Sequence, residues 1–339
     1  MTTTPTAPPE SASETRSLDY GALFRKYGAI AVLFLVMAIF AGLTGGRSVE
    51  VANLSNIIVQ VAPIAILALG MMFAIITKGI DLSVGSTVAL AAVVAASLAQ
   101  IAGSAGSRFN YPAMPVFVSV LAALGVGALV GAVNGSIIAK FKIAPFVMTL
   151  GMMSMARGLA LLYADGRPIS GLAPGFTVIG NGRVLGIPVP ILILAVVAAI
   201  TWVILERTRF GRHVYAVGGN DQAARVSGIS IGRVQIGVYT LIGLFAGLAG
   251  VIYAARVDSG NPTLATGYEL DAITATVIGG TSFNGGVGTV YGTLVGALII
   301  QVIDNGLDLM GVPPFMKIFV KGAIIVVAVI IDERKNRGR

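Results

Sequence analysis

ERTRFGRHVYAVGGNDQAARVSGISIGR, residues 206–233, is a polar, arginine-bearing segment set between two long apolar runs, in a chain where charged residues make up 11% of the total. Its middle, Asp221 to Gly228, spells one or two turns of helix. Asn220 or Asp221 can cap it, Gln222, Ala223, Ala224 and Arg225 are good helix formers, and Gly228 stops it. A helix this short is marginal alone and calls for a partner surface. The segment therefore reads as a handle on the watery side of a membrane, and the runs flanking it decide the fold.

A composition of 56% hydrophobic residues excludes a pair of soluble domains. Several runs reach the ~20 apolar residues needed to cross ~30 Å of hydrocarbon. Backbone groups in such runs must be satisfied internally, which helices do; the alternation of a β-barrel is absent. The expected fold is all-α, a polytopic membrane protein of about ten transmembrane helices. The net charge of +8 is spread over short loops and chain ends, as orientation signals are, and does not mark a nucleic-acid partner. With no cysteine, neither disulfide nor thiolate chemistry is available.

Taken in order, residues 1–24 form a polar N-terminal tail, rich in Thr, Pro and Ser up to Ser17 and expected to be disordered. The first apolar run, Tyr27 to Leu43, is longer than a signal core and reads as a spanning helix. Further spans are expected at about 53–77 (with Pro63 inside), 82–99, 116–139, 144–164, 189–205, 234–255, a short helix from Asp271, a helix to about Asp304, and 314–331. Residues 165–188 read as a Gly/Pro-rich loop, residues 279–288 as a glycine-rich break, and residues 333–339 as a basic tail. Gly127, Gly131 and Gly135, then Gly243, Gly247 and Gly250, and Gly288, Gly292 and Gly296 carry the small-residue spacing of helix-packing seams.

Counting basic residues tests this topology. One side receives Arg16, Arg25, Lys26, Lys78, Lys140, Lys142, the arginines of the 206–233 segment and the basic tail; the other receives Arg47, Arg108, Arg167, Arg183 and Arg256. The asymmetry is about three to one and places both termini and the 206–233 segment in the cytoplasm. GALVGA at 127–132 is echoed by GTLVGA at 292–297, and Asp81-Leu82 by Glu269-Leu270. The matching helices point in opposite directions, the arrangement of an inverted repeat around a transport path.

Catalytic and cofactor signatures are missing. No Gly-Lys pair exists for a Walker A loop, and the single His213 excludes two-histidine zinc motifs. GGVGTVYG at 285–292 has the wrong spacing for a dinucleotide fingerprint. No nucleophile–base pair can be assembled for an intramembrane enzyme. Asp81 either caps the third span or marks a broken-helix ligand site. Asn134, Thr149, Ser282 and Asn284 are candidates for the substrate path or, equally, interhelical contacts. Arg157 faces a protein interior or snorkels to an interface, while Asp304 and Asp308 can pair with Lys317 and Lys321 as interfacial anchors or as a proton relay. A self-contained secondary carrier would place acids at mid-membrane, where this chain offers few, so the driving energy is expected from another protein.

KGIDLSVGS (78–86), APFVMTLGMMSMARGLALL (144–162), TRFGRHVYAVGGNDQAARVSGI (208–229) and GGTSFNGGVGTVYGTLVGALII (279–300) together resemble the membrane permease subunit of ribose-type sugar ABC importers, over about Gly28 to Asp332. The resemblance implies a bacterial inner-membrane subunit that works as two copies of the permease. A cytoplasmic ATPase subunit would use ATP and Mg, with no cofactor on this chain, and an extracytoplasmic sugar-binding protein would deliver a monosaccharide, with membrane lipid around the bundle. It also implies that the loop after the sixth span supplies the helix that docks on the ATPase, matched here by Gly218, Gly219, Asn220, Ala223, Ala224, Arg225, Ser227 and Gly228. Related permeases also carry nonsugar cargo.

Overall fold

The computed structural model describes residues 20–103, 107–109, 111–112 and 114–337. Its helices are α1 (Tyr20–Leu43), α2 (Val51–Ile76), α3 (Val84–Ala99), α4 (Val116–Phe141), α5 (Pro145–Tyr163), α6 (Pro174–Asn181), α7 (Val189–Arg207), α8 (Arg209–Gly219), α9 (Asp221–Val226), α10 (Ile231–Val257), α11 (Tyr268–Ile278), α12 (Val290–Leu309) and α13 (Pro314–Arg337). Four two-residue strands, β1 (Ile169–Ser170), β2 (Arg183–Val184), β3 (Ile187–Pro188) and β4 (Ser259–Gly260), pair antiparallel as β1–β4 and β2–β3. The protein is thus an all-α, multi-pass membrane protein. Helices occupy every expected span, and α2, α4, α5, α7, α10 and α12 are each long and apolar enough for a crossing.

Four expectations shift. Helix α1 already begins at Tyr20, inside the stretch read as tail, while the expectation of disorder for residues 1–19 falls outside the described residues. Helix α13 runs on through the basic tail to Arg337. The 165–188 loop contains α6, started by Pro174 at its first turn, and the β2–β3 hairpin. The 206–233 segment holds α8 ahead of the expected short helix, because Gly211, Val214, Val217 and Gly218 form one buried face while Arg209 and Arg212 stay outside.

Helix α2 is the centre. Every residue from Val61 to Ile76 is buried, as an all-round apolar helix requires, and α7, α10, α11 and α12 pack about it. The first predicted seam is the contact of α4 with α10. A Cβ on Gly127 would collide with the Gly243 carbonyl, one on Gly131 with the Tyr239 carbonyl, and one on Gly247 would lie 2.5 Å from the Ala123 carbonyl. Gly135 meets Ile236, and Gly250 turns instead toward α3 at Val88. Lipid gives no hydrophobic push between helices, so such backbone approach supplies the dispersion contacts that hold them.

Packing also echoes the sequence repeat. Helix α3 packs on α4, α5 and α10, and α11 packs on α12, α13 and α2. Exchanging α2 with α10, α3 with α11, α4 with α12 and α5 with α13 carries the first set into the second, and the α4–α10 pair into α12–α2. The echoed hexapeptides seat differently, however. Gly127 and Gly131 abut α10, whereas Gly292 and Gly296 abut Gly279 and Ala275 at the end of α11.

Long-range contacts sort the loops to two ends. At one, Gly286 meets Ile76 and Gly135 meets Ile236; at the other, Arg47 reaches the Leu309 carbonyl, Asn181 the Ala255 carbonyl, and β1 pairs with β4. Replacing Gly131 with leucine should lower stability by roughly 1–3 kcal/mol or prevent folding, since nothing soft can yield. Gly125→Leu on the same helix, with nothing within 4 Å of its Cβ, should be silent. Thermal midpoints of the two detergent-solubilised variants check the contrast.

Candidate functional site

The segment after α7 is built in two parts, one anchored and one free. Thr208 caps α8 by accepting from the Gly211 amide at 3.2 Å. Phe210 then packs against Phe73 of α2, the rings tilted by 32° with centroids 6.3 Å apart. One turn on, the Tyr215 hydroxyl donates to the Gly288 carbonyl at 2.8 Å. Burial, reinforced by the nearby Glu206 carboxylate, pushes Tyr215 up to about 12, so the hydroxyl keeps the proton it donates. At the end of α8, Gly218 lies so near the last turn of α2 that a Cβ would overlap the Ile76 carbonyl and sit 2.6 Å from the Gly286 nitrogen. That Gly286 N–H donates to the same Ile76 carbonyl at 2.9 Å.

Helix α9 projects beyond this anchor. The Asn220 side chain, rather than Asp221, caps it by accepting from the Ala223 amide at 2.9 Å. Gly228 ends it at φ +81°, where its amide bonds the Arg225 carbonyl at 3.0 Å and the Ile229 amide bonds the Ala224 carbonyl at 3.0 Å. Ala224 is buried, while Gly219, Asn220, Ala223, Arg225, Ser227 and Gly228 are exposed, and Val226 is 89% exposed. A capped single turn presenting alanine, valine and arginine to solvent has the composition of a docking face. Gly218 is the exception among the expected docking residues, because it packs inward.

Three of the candidate path residues come together and two do not. Asp81, 2% exposed, accepts from the Ser83 amide at 2.8 Å and the Ser83 hydroxyl at 2.6 Å. It fixes the turn before α3, whose N-cap position is Ser83, two residues later than the expected cap. Asn134 of α4 donates to the Ser83 hydroxyl at 3.0 Å, and Thr149 of α5 accepts from the Leu82 amide at 3.1 Å. These groups bind one another across three helices and line neither of two cavities, one of about 450 Å³ and one of about 290 Å³. Ser282 is buried in the glycine-rich break between α11 and α12, and Asn284 is exposed at its tip.

The family model described as "Branched-chain amino acid transport system / permease component" matches residues 53–329. The chain belongs to this permease family. It is 43% identical to the Ribose import permease protein RbsC of Escherichia coli (strain K12), over 96% of this chain and 99% of that protein. It is also 43% identical to the Ribose import permease protein RbsC of Bacillus subtilis (strain 168), over 96% and 98%. Identity to the Galactose/methyl galactoside import permease protein MglC of Escherichia coli (strain K12) is 41%, over 92% and 95%. No solved structure matches.

Within this permease the remaining charged residues that the sequence singles out find partners, and three residues it does not assign to such contacts, Asp271, Gln60 and Gln301, join them. Arg157 donates to the Pro262 and Leu264 carbonyls at 2.7 and 2.9 Å, pinning the 258–267 turn from inside the bundle. Lys321 bridges Asp304 at 2.8 Å and Asp271 at 2.9 Å, and Lys317 pairs with Asp308; the expected pairs form, with Asp271 added. Gln60 of α2 and Gln301 of α12, which the sequence reading does not single out, bond each other at 2.9 Å. The available signal was an amide set directly between apolar neighbours, Val59 and Val61 for Gln60 and Ile300 and Val302 for Gln301.

Two glycines side by side give a clean prediction. Gly218→Ala should disrupt the seat on Ile76 and lower the thermal midpoint by several degrees, whereas Gly219→Ala, with open space at its Cβ, should leave the midpoint unchanged. Separately, Asn220→Ala should cost α9 ~1 kcal/mol, read as about fivefold faster hydrogen exchange at the Ala223 amide.

Proposed function

We propose that this chain is the membrane-spanning subunit of an ATP-driven importer for a monosaccharide, working as two copies with a cytoplasmic ATPase and an external sugar-binding protein. The observation that carries it is end-to-end identity of 43% to ribose import permeases of two bacteria. The family's printed description names branched-chain amino acids, but identities of 41–43% over nine-tenths or more of the chain favour a sugar.

The charge asymmetry supports a cytoplasmic location in the inner membrane for both termini and for α8–α9. On that reading α9 is the ATPase-docking helix. Asn220 and Gly228 shape it, Ala223 allows close approach, and Arg225 supplies a cation for an acidic partner group. Helix α8 then carries movement inward. Its Tyr215 and Gly218 grip the α11–α12 break and the end of α2, so a pull on α9 reaches the central helix directly. ATP and Mg belong to the partner, and this chain contributes no catalytic group.

Replacing Arg225 with glutamate tests the reading, because it reverses a charge on an exposed turn that the fold does not use. In proteoliposomes holding the complete complex, sugar-stimulated ATP hydrolysis should fall at least about fivefold, as expected for a lost interfacial charge pair. Unchanged stimulation would remove α9 from the docking role. Uptake by vesicles containing this chain without an ATPase would remove the importer reading itself.

A further inference from the structure

The cavity of about 450 Å³ lies at the end of the bundle opposite α8–α9, between the first half of α2, the last turn of α10, the start of α11, the last turns of α12 and the start of α13. We propose that it is a binding site for an uncharged polyhydroxylated solute, a monosaccharide in the chain's own wall. The inference rests on the importer reading above and adds to it a place where the permease itself holds the cargo. Its volume falls within the ~300–1,000 Å³ usual for small-molecule sites.

Charge decides the class of ligand. Arg256, Lys317 and Lys321 line the cavity with Asp304 and Asp308, and Asp271 stands behind, bonded to Lys321. The formal charges cancel, so neither an anion nor a cation gains from entering. Ion-paired carboxylates and ammoniums still offer fixed acceptors and donors to hydroxyl groups.

The Gln60–Gln301 pair points the same way, by contrast with its neighbour. Along the same two helices, Asn53 and Asn305 bond each other reciprocally, at 2.7 and 2.9 Å, and so saturate one another. Gln60 and Gln301 share a single bond, from the Gln301 amide nitrogen to the Gln60 oxygen. That leaves the Gln60 amide nitrogen and the Gln301 oxygen without a partner among the described residues, although Gln301 is 3% exposed and both residues line the cavity. A helix-packing pair has no need of the spare donor and acceptor, whereas a vicinal diol uses one of each. Tyr253 and Tyr268, ring centroids 5.1 Å apart, add aromatic surface for the C–H face of a sugar ring.

The test uses the complete complex in proteoliposomes with radiolabelled D-ribose and, in a second arm, D-galactose. Gln60→Leu and Gln301→Leu should each lower transport about five- to tenfold, the effect of a lost neutral hydrogen bond or two, while binding-protein-stimulated ATP hydrolysis stays within about twofold. Normal transport by the double variant overturns the site and leaves the importer reading standing. A wild-type complex that moves neither sugar overturns both. If the leucine variants are not recovered folded, equilibrium binding of labelled D-ribose to the wild-type permease–ATPase complex without its binding protein decides. Saturable binding that Gln301→Asn weakens supports the site, and absence of saturable binding overturns it.

Discussion

The carbonyl of Ile76 is the joint on which the two ends of this fold depend. It closes α2, the helix around which the bundle packs, and it accepts the Gly286 amide of the α11–α12 break. Gly218 presses against it so closely that no side chain fits between. Three segments distant in sequence therefore meet at one oxygen, and the two that approach it from outside α2, at Gly218 and Gly286, keep a bare backbone there. This constraint explains why glycine stands at the end of α8 and in the break. It also ties the polar segment outside the bundle to the apolar helix at its centre.

A second constraint comes from lipid. A helix broken inside a membrane frees backbone groups that water cannot satisfy. Here the break before α3 is sealed by Asp81, Ser83 and Thr149 with help from Asn134, and the break after α11 by Ile76 and Tyr215. Residues that sequence alone offers as ligand groups are in the first break occupied by the protein itself. Asn134 Oδ1 beside that break and Thr281 Oγ1 in the other are left without a hydrogen-bond partner among the described residues, and further polar groups with capacity to spare line the cavity between α2, α10, α12 and α13. On the proposed function, cargo would meet those groups while the motor acts at the opposite end.

Much of this was legible beforehand, and the rest was hidden for definite reasons. Apolar run length gave the spans, and small residues at four-residue spacing gave the α4 face at Gly127 and Gly131, because both signals are local. Gly228 and Asn220 announced the ends of α9 in the same way. Helix α8 was obscured by Arg209 and Arg212, although Gly211, Val214 and Gly218 already had helical spacing. The partner of Tyr215 lies 73 residues away and that of Gln60 lies 241 away, so no local pattern could name them. Asp271 was read only as a helix start, and its burial beside Lys321 follows from how α13 returns across α11.

The joint at Ile76 implies that the α9 handle and the α11–α12 break move together. The chain has no cysteine, so spin labels can be placed at Ser227→Cys and Asn284→Cys, both exposed, without altering any native thiol. Pulsed electron–electron resonance would then compare the nucleotide-free and ATP-trapped complexes. The account predicts one unchanged distance between these labels, while a pair at Ser227 and Leu185, the latter exposed in the β2–β3 turn ahead of α7, shifts between the states. A 227–284 distance that changes with nucleotide would show the handle sliding over the joint and would contradict the account.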